Sequence, residues 1–256
     1  METRSRDDIV TLAAIGLVAY VCADIAHHAL GHGVACLALG GQIRSLSSIF
    51  VSCSLTGAAI DLAGPFANLV VGLVALLASH FTPRARATRL FLVLAAAFNL
   101  FWFGLQLSFS AATRTDDWAW AIEYFHIPEA LRYSLVAVGA LAYVFSVRVI
   151  SVAMIRFAHP PGRAMIIVVT AWITAGAIAC ATAAFDHHPA AAILRHAAPQ
   201  SLLSSVGLLF VPARAARLPF TEGSYADMGI SVPWIVAAVV IGAISIVYLG
   251  SGIAIL

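Results

Sequence analysis

The feature that most limits what this chain can fold into is a series of apolar segments long enough to cross a lipid bilayer. Six of them cover residues 9–39, 60–79, 90–112, 131–155, 164–185 and 232–256. A hydrocarbon core about 30 Å thick needs about 20 apolar residues per helix. Inside it every backbone polar group must find its partner within the protein, which leaves helices as the spanning form for segments of this length. The predicted fold is therefore all-α, a polytopic membrane protein with about six transmembrane helices. We read residues 1–256 as one integral membrane domain, with a candidate catalytic core over 9–120 and additional helices over 131–256.

Composition excludes the soluble alternative. Only 10% of the 256 residues are charged, against about 25% in soluble domains. The net charge of +2 gives no reason to expect a nucleic-acid partner; the expected partners are membrane lipid and a transmembrane peptide or protein substrate. All fourteen basic residues are Arg, a bias that fits a GC-rich genome and an expected location in a bacterial inner (cytoplasmic) membrane. Cys22, Cys36, Cys53 and Cys180 form no C-x-x-C pair, so no disulfide framework is expected and most are read as small core hydrophobes.

Arginine distribution gives a topology. An inside N-terminus puts Arg4, Arg6, Arg84, Arg86, Arg89, Arg156 and Arg163 in the cytoplasm, and leaves Arg44, Arg114 and Arg132 opposite. With six spans, that predicts both termini inside. Gly40-Gly41 supplies a stop for the first helix. Residues 42–54 suit a short hairpin or re-entrant loop, and the apolar piece 202–211 is too short to span and is expected in the interface.

The most informative stretch is Asp24-Ile25-Ala26-His27-His28-Ala29-Leu30-Gly31-His32-Gly33. Intramembrane polar groups are costly and mark functional sites. On a straight α-helix His28 and His32 lie about 40° apart, one turn above the other, the spacing by which two imidazoles share a divalent ion. His27 and His32, five apart, would lie about 140° apart and need a local distortion. Asp24 sits one turn before His28 and suits a tautomer-fixing partner. The nineteen steps from Ile9 to His28 cover roughly 29 Å, so the pair lies near the far end of the first span. Counting spans brings Asn68 and Asp117 to that same end. Asp117 or Asp116 can supply a third ligand, leaving one position open for water. Asn68 can bind a substrate carbonyl or bridge helices.

Two motifs resemble the site-2 protease family of intramembrane metalloproteases. His28-Ala29-Leu30-Gly31-His32 followed by Gly40-Gly41 is similar to the family's H-E-x-G-H and Gly-Gly turn, and Ala63-Gly64-Pro65-Phe66-Ala67-Asn68 looks like its A-G-P-x-x-N segment. The likeness covers roughly residues 20–80. It implies a Zn²⁺-dependent endopeptidase with His28 and His32 as ligands, Gly31, Gly64 and Pro65 as structural positions, and Asn68 at the reacting carbonyl. Ala29 stands where the family carries the glutamate that activates water, and the downstream L-D-G motif is absent, so Asp117 is assigned by position. The resemblance implies a site closer to the cytosolic side, whereas the arginine count places it on the outer side. Activity is expected to be very low unless Ala29→Glu restores a base. The alternatives are a non-catalytic metal- or substrate-binding scaffold and a metal-ion or proton transporter.

Overall fold

The computed structural model describes residues 7–82, 86–157, 162–218 and 228–254. Arg4, Arg6 and Arg84 of the topology count lie outside these. Six helices are long and apolar enough to cross a membrane: α1 (Ile9–Ala38), α2 (Ala58–Phe81), α3 (Arg86–Thr113), α5 (Glu129–Phe157), α6 (Arg163–Ala183) and α7 (Val232–Leu249). A short helix α4 (Asp117–Tyr124) follows α3. The all-α membrane architecture read from the apolar segments is what the chain adopts.

Capping chemistry sets the ends of α1. Asp8 Oδ1 accepts from the Thr11 N–H at 2.7 Å, an N-cap bond of the kind typically contributing about 1 kcal/mol. At the other end Gly40 takes a left-handed φ of 82°. The Gly41 N–H donates to Cys36 O at 2.8 Å and the Gly40 N–H to Leu37 O at 3.0 Å. This is the double-bonded Schellman stop that needs a glycine at the left-handed position. Between these ends α1 does not break at Gly31 or Gly33. It widens instead into a π-helical stretch over Ala26–Gly33.

After α1 the chain forms the expected hairpin, β1 (Ile43–Leu46) and β2 (Val51–Cys53), antiparallel to one another. A terminal strand β3 (Ile253–Ala254) pairs antiparallel with β1, giving the sheet order β2-β1-β3. The hairpin folds back onto the end of α1, and Cys36 and Cys53 are joined in a disulfide. This corrects the expectation of unpaired cysteines. A separation of 17 residues carries no sequence signature, and the pair meets only because the Schellman stop reverses the chain.

A second correction concerns the termini. After α6 the chain does not stay at one end of the bundle. A series of short α, π and 3₁₀ turns from Pro189 to Ala215 runs antiparallel along α6. Trp172 Nε1 donates to Leu202 O at 2.9 Å, Leu202 packs on Gly176, and Ala215 is buried with Ala164 at the start of α6. Tyr143 of α5 joins this pass midway, donating to Ser204 O at 2.9 Å and accepting from the Gly207 N–H at 2.7 Å. The chain thereby returns to the end where Asp7 pairs with Arg163 at 2.6 Å and the Asp8 N–H donates to Met228 O at 2.7 Å. α7 then runs to the hairpin end. Among the described residues Asp7 and β3 therefore lie at opposite ends of the bundle, contrary to the expected shared side. The interrupted pass escaped the hydropathy reading because Ser201, Ser204, Ser205 and its three prolines dilute it.

The core lies where α1, α3 and α6 meet, around Ile15, Ala19, Phe98, Phe101, Val168 and Ala171. Lipid offers no hydrophobic drive to bring helices together, so close packing through small residues does much of that work. Gly16 meets the Ala171 backbone this way, and Gly104 meets Tyr143.

Candidate metal centre

The π-helical stretch decides which histidines meet. In an α-helix residues four apart stack; in a π-helix the repeat is i→i+5. His27 and His32 are five apart, and here their Nε2 atoms come within 3.2 Å. Asp117 Oδ2 lies 3.0 Å from His27 Nε2 and 3.3 Å from His32 Nε2. Among the described residues His27, His32 and Asp117 form the group of side chains that could hold a metal ion. All three are buried. The straight-helix expectation paired His28 with His32, and the local widening replaces it with His27 and His32.

Three elements deliver these atoms. Gly31 of α1 faces α2 so closely that an added Cβ would lie 2.7 Å from Ala63 O. Gly64 of α2 makes room for the rings, since a Cβ there would collide with the His32 imidazole and stand 2.9 Å from His27 Nε2. Gly31 and Gly64 thus have the structural role expected of them, and Pro65 is buried beside Gly64 inside α2. Asp117 opens α4 after a strained turn: Arg114 and Asp116 hold φ of 60° and 74°. Non-glycine residues pay about 1–3 kcal/mol each for such conformations, which concentrate at functional sites.

The outer hydrogen bonds fix both tautomers. His32 Nδ1 lies 2.7 Å from Ile60 O; a carbonyl only accepts, so Nδ1 carries the hydrogen. His27 Nδ1 lies 2.5 Å from Asn68 Oδ1. The Asn68 amide is oriented by donating Nδ2 to Ala23 O at 3.2 Å and to Asn99 Oδ1 at 2.8 Å. Asn99 Nδ2 donates in turn to Ala95 O at 2.8 Å. This chain of bonds ends on a carbonyl and runs in one direction, so His27 Nδ1 donates as well. Each neutral ring then presents an Nε2 lone pair to the other and to the Asp117 carboxylate. Burial pushes the Asp117 carboxyl up, but His27 and His32 hold it below its ordinary range when an Nε2 proton is shared with it, the place a bound cation would take instead. Asp116 is pushed up by burial and by the neighbouring Asp117 charge.

The remaining expected residues divide clearly. Asn68 is fully buried, and its amide is engaged within the protein, by His27, Ala23 and Asn99. His28 Nδ1 hydrogen-bonds the Asp24 backbone oxygen at 3.2 Å; Asp24 Oδ1 stands 3.2 Å away without a hydrogen bond, so the backbone, and not the expected carboxylate, orients that ring. Ala29 is half-buried and is absent from the walls of the cavity beside the cluster. Asp116 Oδ2 accepts from Gln106 Nε2 at 3.0 Å, and the same nitrogen donates to Asp117 Oδ2 at 2.9 Å. Gln106, Asn99 and Trp102, whose ring stacks on His27 at 4.6 Å between centroids, were not singled out from sequence. Polar Asn99 and Gln106, seven apart in an otherwise apolar helix, were the available signal.

No family model, curated protein or solved structure matches this chain.

The cluster opens into a cavity of about 460 Å³ lined by His27, His28, His32, Asp61, Asp117 and residues of β2 among others. A neighbouring cavity of about 600 Å³ has largely apolar walls, including Trp102, Phe109 and Leu203, and shares Asp116, Trp120, His196 and Gln200 with the first.

Proposed function

We propose that this chain is a metal-dependent hydrolase of membrane-embedded peptide bonds, with zinc held by His27, His32 and Asp117. One observation carries the reading: two imidazole Nε2 atoms and a carboxylate oxygen converge in a buried site, and with both rings neutral no proton donor stands between them. Such an arrangement needs positive charge at its centre. The separations of 3.0, 3.2 and 3.3 Å match the edges of a zinc tetrahedron, roughly 3.3 Å for bonds of about 2.0–2.1 Å. Two imidazoles and one carboxylate are also a common catalytic zinc set, with a fourth position open. Bound there, zinc would polarise a carbonyl and lower the pKa of water. The protein's own part is to orient the rings through Asn68 and Ile60, to hold Asp117 through Gln106, and to offer a cavity large enough for a peptide segment. The resemblance of Ala63–Asn68 to the site-2 protease segment adds support from the sequence, while the first motif names His28 where the geometry supplies His27.

The test is elemental analysis of the detergent-purified chain and of four single alanine variants. About one zinc per chain is expected, lost in His27→Ala, His32→Ala and Asp117→Ala, and kept in His28→Ala. Cleavage of a model transmembrane peptide should follow the metal. Stoichiometric zinc that survives His27→Ala but not His28→Ala would overturn this ligand set, and a metal-loaded chain inert toward every peptide would leave a non-catalytic metal-binding scaffold.

A further inference from the structure

Peptide hydrolysis needs a group that takes a proton from the attacking water and returns it to the leaving nitrogen. Ala29 cannot do this and does not face the cavity. His28 has one ring nitrogen committed to Asp24. Among the described residues three carboxylates line the cavity: Asp61, Asp116 and Asp117. Asp117 is spent on the metal cluster, and the Asp116 carboxylate is already held by Gln106.

Asp61 differs from both. It stands in the first turn of α2, next to Ile60, whose carbonyl binds His32. The site's own hydrogen-bond network thus ties down the backbone beside it. Asp61 is only half-buried, and no hydrogen bond or ion pair engages its carboxylate among the described residues. The positive end of the α2 dipole favours an anion there. A helix-start aspartate on an open surface would do no more than that. This one lies on the wall of the cavity beside the candidate metal cluster, where Ala29 offers no base.

We infer that Asp61 is the catalytic carboxylate that accepts the proton of the attacking water. The assignment rests on the metal-hydrolase reading given above. In the reaction one water O–H bond breaks, with its proton passing to an Asp61 oxygen. The water oxygen bonds to the carbonyl carbon, the C–N bond breaks, and the proton moves from Asp61 to the departing nitrogen. Asp61 ends as it began, with no oxidant or reductant required.

The test uses the full-length chain in detergent, loaded with zinc for turnover and with cobalt(II) for spectroscopy. Asp61→Asn should keep one metal per chain and lose peptide turnover by about 10²- to 10⁴-fold, the usual range for general acid–base help. Asp61→Glu should recover much of the loss. Independently of any substrate, the pH midpoint of the cobalt visible spectrum should shift in Asp61→Asn relative to the unaltered chain. Metal loss in Asp61→Asn, undiminished turnover, or an unmoved midpoint would each overturn the assignment. A shifted midpoint in a chain that binds metal but cleaves no peptide would sink the peptide-hydrolase reading and leave Asp61 facing the reacting water. A chain that binds no metal overturns both.

Discussion

At the scale of single residues, the site depends on atoms that hold other atoms in place. Asn68 fixes His27 through a chain of amides ending on Ala95. Removing such partners of metal-ligating histidines typically costs 10- to 100-fold in affinity. Asn68→Ala should therefore weaken zinc binding by that factor in a competition titration with a chelator, while the chain stays folded by circular dichroism; unchanged affinity would deny the positioning role. Gly64→Ala should do more, because its Cβ would occupy the space of the His32 ring, and metal should be lost outright. The sequence displayed part of this arrangement. The cluster in α1, Asn68 and Asp117 could be found from polarity and the counting of spans, and Gly31 and Gly64 from the resemblance of the two motifs. Asp61 was only one letter in a helix start, and Gln106 only a polar residue in an apolar run. Their roles depend on which walls of a cavity they share, and no one-dimensional pattern carries that.

At the scale of elements, one local distortion changes which histidines are the candidate ligands. Helical periodicity makes His28–His32 the natural pair, and a straight helix would keep His27 about 140° away from His32. Apolar periodicity locates a helix and cannot say whether each turn closes at four residues or five. The packing of Gly31 on Gly64, together with the partners waiting at Ile60, Asn68 and Asp117, rewards the wider turn. A test follows from geometry. Deleting Ala29 removes one residue from the widened stretch, leaving the two ligand histidines four apart, the spacing that stacks on an ordinary α-helix. The deletion variant should retain metal. An Ala29→Glu variant should leave both metal content and turnover nearly unchanged, because position 29 does not line the cavity. A rise of orders of magnitude in Ala29→Glu would show that the working helix is the straight one.

At the scale of the molecule, the interrupted pass of residues 189–215 and the disulfide bear on orientation. Among the described residues Arg86, Arg89, Arg156, Arg163, Arg214 and Arg217 belong to the end where Asp7 meets Arg163, and Arg44, Arg114, Arg132 and Arg195 to the end of the hairpin and metal cluster. The arginine-rich end is expected to face the cytoplasm. Disulfides persist on the oxidising side of a membrane, and Cys36–Cys53 lies at the other end, beside the metal cavity. Both arguments place the cluster outward, against the side that the family resemblance implied. In right-side-out vesicles an impermeant reductant should expose Cys36 and Cys53 to an impermeant thiol reagent, and protease added outside should remove a C-terminal tag but spare an N-terminal one. Labelling confined to inverted vesicles would reverse the orientation. The position of the two cysteines in the chain also bears on the order of assembly. Both precede α2, so they leave the ribosome before Asn68, Asp117 and every later part of the site. Once the first helix and its hairpin have crossed, the covalent link can form while most of the protein is still being made. The newborn chain would then carry a locked half-site, with two imidazoles beside a fastened hairpin, against which the later helices assemble.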